Sequence, residues 1–172
     1  MDITGNKVIL RAIEEQDKEL LLDLIKDPEI SKVTRGYSRP VSYEHQLRWF
    51  RSPPDPVNGV HSIIADREAP RVGLGIIILS NMDPIAGTAR ISIKLKRSVR
   101  QKGYGEDAVT ALVSYAFQKL GLNHIYSNIL EYNQASRRLF EKCGFNQESV
   151  HESRTGAGHS RNVYLYGISR GE

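Results

Sequence analysis

RQKGYG, Arg100–Gly105, stands between a segment of alternating apolar residues and a strongly helical segment. Glycine adopts backbone angles that other residues avoid, and it lets the main chain come close to a ligand. A helix that starts directly after such a loop presents unpaired N–H groups and the positive end of its dipole. The stretch is therefore typical of a loop that binds phosphate.

Basic residues concentrate around this loop, although the formal charge of the whole chain is only +4. Within nine residues the sequence places Lys94, Lys96, Arg97, Arg100 and Lys102. A solvated strand edge and turn would also carry such charges. Because two glycines accompany the cations, we interpret the cluster as one that attracts a polyphosphate.

The composition limits the class of protein. A chain of 172 residues with 40% hydrophobic content can bury one core, so we expect a single domain over residues 1–172. Its apolar runs are much shorter than the roughly 20 residues that span a bilayer. The start MDITGNKVIL lacks the pattern of a secretory signal, so we expect a cytoplasmic protein without a membrane partner. One cysteine, Cys143, and five scattered histidines predict neither a disulfide nor a metal site.

Hydrophobic periodicity divides the first half of the chain into short elements. It predicts a strand over Val8–Ala12, a helix over Glu14–Lys26 and a second helix over Glu44–Arg51, with loops at 36–40 and 52–59. The segments HSIIAD and VGLGIIILS then read as strands, and the second is so continuously apolar that we expect both of its faces to be covered. Asn81–Gly87 has the composition of a turn.

The second half alternates strands and helices. A strand with apolar Ile91, Ile93 and Leu95 precedes the glycine loop, and residues three and four apart predict a helix over Glu106–Leu120. The remaining predicted elements are a strand His124–Leu130, a helix Gln134–Cys143 and strands Phe145–Arg154 and Arg161–Ser169. Such an order indicates a mixed sheet with helices on both sides.

Two other phosphate-binding loops do not fit these residues. A Walker loop needs Lys-Ser/Thr after its last glycine, whereas Glu106 and Asp107 follow Gly105. A dinucleotide fingerprint needs a third glycine and a position in the first strand-turn-helix unit. The strand–RQKGYG–helix junction meets neither requirement.

The spacing Arg100-x-x-Gly103-x-Gly105 resembles the acetyl-CoA pyrophosphate loop of the GNAT superfamily of N-acetyltransferases. Downstream, Asn133-x-x-Ser136 followed by LFEKCGF resembles the second motif of that family. The opening VILRAIEEQD is similar to the ribosomal-protein N-terminal acetyltransferase branch. The resemblance implies an α/β (α+β) fold, with a mixed, mostly antiparallel sheet of about seven strands and about four flanking helices.

The resemblance also implies roles for individual residues. Main-chain N–H groups of the loop would wrap the pyrophosphate, and the main chain at Leu95 would pair with the pantetheine arm and polarise the thioester carbonyl. Asn133 and Ser136 match positions that contact the pantetheine amides or lie near the sulfur, although such a pair is also an ordinary helix cap. The implied acetyl-CoA-binding residues are Leu95, Arg100, Gln101, Lys102, Gly103, Tyr104, Gly105, Asn133 and Ser136.

Two family positions carry unexpected residues. Many members have a glutamate base early in the strand before the loop and a tyrosine acid before the Gly-Phe pair. Here these positions are Arg90 and Phe140. Ser136 is then the best candidate near the sulfur, and Glu131 or His124 could reach the mouth of the cleft through a water. Tyr164 and Tyr166 alternate with Val163 and Leu165, and we expect one of the tyrosines to face the core.

The resemblance predicts an enzyme that transfers the acetyl group of acetyl-CoA to a primary amine by direct attack in a ternary complex. A protein N-terminus, an amino sugar and a small amine remain open as acceptors, and so does a homodimer. The predicted acceptor walls contain aromatic and cationic residues, namely Tyr37, Arg39, His45, Trp49, Arg51 and His159. The alternative is a non-catalytic acetyl-CoA sensor or a basic nucleic-acid-binding domain. Because no aromatic ladder accompanies the basic cluster, we expect no nucleic-acid partner.

Overall fold

The computed structural model describes residues 2–27, 44, 48, 59–154 and 160–171. The strands in this part of the chain form one sheet in the order β1-β2-β3-β4-β5-β6-β8-β7, and only the β5–β6 pair is parallel. The predicted mixed, mostly antiparallel sheet is confirmed. The strands are β1 (Ile3–Thr4), β2 (Val8–Arg11), β3 (Val60–Asp66), β4 (Ala69–Asp83), β5 (Thr88–Leu95), β6 (His124–Leu130), β7 (Asn146–Arg154) and β8 (Ser160–Ser169).

Three α-helices lie fully within the described residues: α1 (Lys18–Lys26), α2 (Tyr104–Gln118) and α3 (Gln134–Lys142). Of the predicted helix Glu44–Arg51, only Glu44 and Arg48 are described, and both are helical. The rest of that helix, the predicted loop at 36–40 and the predicted loop at 52–59 up to residue 58 lie outside the described residues. The same holds for Tyr37, Arg39, His45, Trp49, Arg51 and His159 of the predicted acceptor walls.

Several boundaries differ from the predicted ones. The sheet has eight strands rather than about seven because the unpredicted β1 pairs with β2. The predicted turn Asn81–Gly87 is too long: β4 continues to Asp83, because an irregularity between Ser80 and Asp83 absorbs the extra residues and restores pairing with β5. Residues Glu15–Asp17, predicted as α-helix, form a 3-10 turn before α1.

The apolar run in β4 explains why helices cover both faces of the sheet. All residues of Leu74–Leu79 are buried. Ile77 and Leu79 belong to the core cluster that contains Leu112 of α2, whereas Ile76 and Ile78 pack in a second cluster with Leu21 of α1. The prediction that both faces of this strand are covered is therefore confirmed.

Candidate active site

A gap between β5 and β6 is the main feature of the sheet. The two strands pair only where Thr88–Arg90 meets His124–Tyr126. Residues 91–95 of β5 still pair with β4, and residues 127–130 of β6 still pair with β8, but their facing edges are not paired with each other. Since main-chain groups on an unpaired edge need partners, this gap can accept an extended ligand between the strands.

The main chain of Leu95 faces this gap. Leu95 lies opposite Gly75, and the N–H of Lys96 donates to the Leu74 carbonyl at 2.9 Å. Bonded and non-bonded pairs alternate along an antiparallel ladder, so the N–H and C=O of Leu95 itself point away from β4. The Leu95 main chain is therefore directed toward the gap, and its role in binding stays a prediction.

Arg100 contacts the end of β5 and the residue that follows α1. Its Nε and Nη2 donate to the Leu95 carbonyl at 3.1 and 2.9 Å, and Nη2 also contacts Asp27 Oδ2 at 2.9 Å. Asp27 follows the C-terminus of α1, so the guanidinium joins α1, the end of β5 and the loop. These contacts let Arg100 position the loop, and its predicted direct contact with the cofactor stays a prediction.

The two glycine positions of the loop require glycine for different structural reasons. Gly103 has φ +86° and immediately precedes α2, so it needs the left-handed conformation that glycine tolerates. Gly105 is already helical and buried, and a Cβ there would lie 3.1 Å from Leu95 Cδ1 and 3.4 Å from Leu139. Gly105 thus lets α2 pack closely against β5 and α3, and its predicted main-chain contact with the cofactor stays a prediction.

The remaining predicted loop residues surround the start of α2. Gln101 has φ +61°, and both Gln101 and Lys102 are exposed. Tyr104 begins α2 and packs partly buried against the main core. No side chain among the described residues accepts a capping hydrogen bond at this helix start. The first N–H groups of α2 therefore keep the capacity to bind an anion.

Lys7 is a neighbour of the loop that sequence reasoning missed. Its Nζ donates to the Lys102 carbonyl at 3.0 Å and lies 2.9 Å from the position that a Cβ on Gly103 would occupy. The two residues are 95 positions apart in the chain, so no local pattern points to the contact. Lys7 adds a positive charge beside the loop.

Asp107 attaches the turn between β1 and β2 to α2. Its carboxylate accepts hydrogen bonds from the N–H groups of Asn6, Lys7 and Val8 at 3.0, 2.8 and 3.0 Å. Three main-chain donors on one carboxylate form a charge-assisted cluster. This contact holds Lys7 beside the loop.

We expect Asp107→Asn to lower the free energy of unfolding by about 2 kcal/mol, since hydrogen bonds to a charged group are worth about 1.5–3 kcal/mol each and these are partly exposed. An asparagine would turn its NH₂ group toward main-chain donors. Urea denaturation measures the change. Glu106→Gln removes the same charge from the same helical turn and should stay within about 0.5 kcal/mol of wild type. Equal effects of the two substitutions would contradict the attachment.

Asn133 and Ser136 meet at the start of α3. Asn133 Oδ1 accepts the Ser136 N–H at 3.3 Å, so Asn133 caps the helix. Ser136 is partly buried. Glu131 is exposed in the turn after β6, where its main-chain carbonyl accepts a hydrogen bond from Arg137. The structure brings Asn133 and Ser136 together and leaves the Glu131 side chain at the surface.

The unusual residues Arg90 and Phe140 lie in different surroundings. Arg90 is partly buried in the last pair before the β5–β6 gap opens. Phe140 is buried and packs edge-to-face on Phe145 with ring centroids 4.9 Å apart. Phe140 is therefore a core residue and cannot donate a proton.

Both tyrosines of β8 face the main core, which corrects the expectation that only one does. Residues two apart on a strand share a face. Tyr166 is 1% exposed, donates to Glu141 Oε1 at 2.8 Å and accepts from Arg137 Nε at 3.3 Å. Burial raises the pKa of Tyr166, and the Glu141 hydrogen bond acts in the same direction. The guanidinium of Arg137 also lies 4.2 Å from the centre of the Tyr164 ring, so both tyrosines anchor α3 to the sheet.

Cys143 ends α3 close to the start of α2, and its Sγ contacts the Glu106 carbonyl at 3.8 Å. Burial raises the pKa of this thiol to about 11. We expect iodoacetamide at pH 8 to alkylate the folded protein about 100-fold more slowly than the urea-unfolded protein, where the pKa returns to about 8.5. N-acetylcysteine in the same two solvents corrects for the effect of urea on the reagent. Rates within threefold of each other would show that the thiol is not protected.

The geometry defines a protein with a glycine loop at a helix start beside two splayed parallel strands. Residues 7–146 match the family model of the acetyltransferase (GNAT) domain, which is more than half of the chain. The chain therefore belongs to the GNAT acetyltransferase family and is an acyltransferase. The predicted membership is confirmed, and the narrower likeness to the ribosomal-protein branch stays a prediction.

Similar proteins agree with this assignment. The N-acetyltransferase p20 of Bacillus licheniformis is 25% identical over 179 residues, covering 96% of this chain and 94% of that protein. A GNAT-family acetyltransferase from Bacillus anthracis shares the fold with a TM-score of 0.83 and 19% identity over 98% of both chains. Spermidine N-acetyltransferase from Vibrio cholerae, solved with CoA and spermine, has a TM-score of 0.78 and 20% identity over 96% of both chains.

Neither a membrane span nor a metal cluster is found in the described residues. No helix in the part of the chain that the structure describes combines the length and apolar character needed to cross a bilayer. Within the same residues, no three His, Cys, Asp or Glu side chains are arranged to hold a metal ion.

Proposed function

We propose that this chain, as one domain over residues 1–172, transfers the acetyl group of acetyl-CoA to a primary amine in a ternary complex. The observation that carries the proposal is the unpaired edge of β5, which ends at Leu95 directly before the glycine loop. An extended pantetheine arm can pair with this edge while the loop holds the diphosphate. The CoA complex of the Vibrio cholerae neighbour supports the same assignment.

The residues in and around the loop have different roles in binding acetyl-CoA. Main-chain N–H groups of Gln101–Gly105 bind the pyrophosphate at the positive end of α2. Lys102 and Lys7 add positive charge, and Arg100 fixes the end of β5. Tyr104 packs the start of α2 on the core. Asn133 and Ser136 border the gap from α3 and contact the pantetheine or the thiol.

The reaction is a direct acyl transfer. The neutral amine nitrogen attacks the thioester carbon, the C–S bond breaks, and the thiolate leaves with a proton. The Leu95 N–H donates to the carbonyl oxygen as charge develops there. Ser136 is our candidate for a proton donor near the sulfur, and Glu131 accepts the amine proton through water. Holding both reactants in place lowers the activation free energy by about 7–11 kcal/mol. One acid–base group accelerates a reaction by about 10²–10⁴-fold, which corresponds to a smaller free energy.

Release of free CoA thiol tests the proposal. Acetyl-CoA is incubated with the protein and with peptides, amino sugars, polyamines or aminoglycosides, and thiol formation is followed. Thermal denaturation with and without acetyl-CoA reports binding independently. Turnover with one amine supports the enzyme, and the absence of both turnover and thermal stabilisation would contradict it.

Arg90 and Phe140 favour a second candidate, a sensor that binds acetyl-CoA without turnover. In that case acetyl-CoA would raise the melting temperature while every amine stayed unreactive. Nucleic-acid binding has less support, because Arg97 and Arg100 are engaged by Asp27 and Lys94 is partly buried. A cytoplasmic location and a homodimer are predictions that fractionation and light scattering can test.

A further inference from the structure

The two faces of β5 have different neighbours. Ala89 and Ile91 are buried in the core cluster beneath α2. Side chains alternate along a strand, so Arg90, Ser92 and Lys94 point to the opposite face. Ser92 and Lys94 lie opposite Ile78 and Ile76, which pack toward α1.

This arrangement separates the two substrates of the proposed reaction. The glycine loop starts α2, and α2 covers the Ala89 face, so acetyl-CoA enters the gap from that side. The attacking amine must then approach from the other face. On that face the edges of the gap carry Arg90, Ser92 and Lys94 from β5 and Tyr126 and Asn128 from β6.

The charges on this edge are positive and not neutralised. Neither Arg90 nor Lys94 has an ion pair or side-chain hydrogen bond within the described residues, although both are partly buried. Burial lowers the pKa of the Lys94 ammonium. Glu148 of β7, which β8 separates from β6, lies 2.9 Å from His124 Nε2. A partly buried cation without a partner is costly, and an incoming anion offsets that cost.

We propose that the acceptor is an amine that also carries a carboxylate or a phosphate, and that Arg90 and Lys94 bind this anionic group. The proposal rests on the proposed acetyl transfer. The backbone positions of Arg90 and Lys94 are four residues apart, about 13 Å along the strand, so their long side chains can reach one anionic group that lies between them. A polyamine carries the opposite charge and is repelled by the same edge.

Matched pairs of acceptors test this proposal. The first pair consists of two peptides that differ only in Asp or Asn at the second position. The second pair consists of an amino sugar and its phosphate ester, and spermidine represents the cationic amines. We expect kcat/KM at least about tenfold higher for the anionic member of at least one pair. The pair that responds distinguishes a carboxylate from a phosphate.

Variants connect the preference to these residues. Arg90→Glu should reverse the preference about tenfold or more, and Lys94→Met should reduce it, while the KM for acetyl-CoA changes less than twofold. Arg170→Glu makes the same charge change at an exposed position after β8 and should keep the wild-type preference. Calorimetric titration of the same acceptors into the CoA-bound protein provides a readout that does not require turnover.

The outcomes are distinguishable. If the wild type treats both members of every pair alike, prefers spermidine, or binds none of these amines, the anionic acceptor is wrong. It is also wrong if Arg90→Glu and Lys94→Met both keep the original preference. Failure of the proposed function itself has a different signature. Acetyl-CoA would then give no thermal stabilisation, and no amine would lead to thiol release.

Discussion

Gly103→Glu should abolish the thermal stabilisation by acetyl-CoA. At a ligand concentration 100 times Kd, binding stabilises the wild type by about 2.7 kcal/mol, which corresponds to a shift of about 5–10 °C for a domain of this size. A side chain at Gly103 meets φ +86° and the Lys7 ammonium, and its carboxylate repels the diphosphate. Differential scanning fluorimetry with and without acetyl-CoA measures the shift.

Gly121 provides a matched control for this substitution. It also has positive φ, +68°, but nothing lies within 4 Å of a Cβ placed there. Gly121→Glu therefore introduces the same charge and a similar backbone strain away from the loop, and it should keep the full ligand-induced shift. If Gly103→Glu kept the shift as well, the diphosphate would not lie at this loop.

Asp17→Asn should cause the largest loss of stability. Arg11 and Asp17, 6% and 2% exposed, form two hydrogen bonds of 2.7 Å, and Asp17 also accepts the Glu14 N–H. The hydrogen bond to Asp17 raises the pKa of Arg11. Because an arginine guanidinium is not deprotonated in proteins, Arg11 stays charged when Asp17 is replaced by asparagine. Breaking a buried pair on one side costs about 3–5 kcal/mol. We expect a melting temperature lower by about 10 °C.

Asp23→Asn is the control for this prediction. Asp23 lies on the same helix, α1, but is exposed, so removal of its charge should change stability by less than about 0.5 kcal/mol. Urea denaturation of both variants compares the free energies of unfolding. Similar values for Asp17→Asn and Asp23→Asn would mean that the buried pair does not stabilise the fold.

Local patterns predicted the elements that carry a strong repeat. The apolar positions of α2 and the continuous apolar run in β4 identified a helix and a central strand, with errors of a few residues at the ends. The short strand β1 was missed because two residues, Ile3 and Thr4, carry no detectable period. The turn after β4 was placed too early because Asn81 and Asp83 favour turns, whereas Asp83 pairs with Thr88 of β5 beyond an irregularity that contains Asn81 at φ +49°.

Among the site residues, those defined by local sequence could be predicted and those defined by long-range contacts could not. Gly103 could be predicted because a loop between a strand and a helix requires its conformation locally. Lys7 and Asp107 could not, because their contacts join residues about 95 to 100 positions apart. The charge of Arg100 is visible in the sequence, while the acceptors that it contacts, the Leu95 carbonyl and Asp27, become its neighbours only on folding.

The order of residues along the chain was enough to establish the glycine loop, the family to which it belongs, and the presence of Arg90 and Phe140 where an acid and a tyrosine are common. These features depend on residue identity and near neighbours. Folding alone decided that β5 and β6 part after Arg90, that the Leu95 main chain faces the gap, and that Arg90 and Lys94 share the face away from α2 without an ionic partner in the described residues. Strand pairing and charge neutralisation arise from packing between distant segments, which local periodicity does not encode.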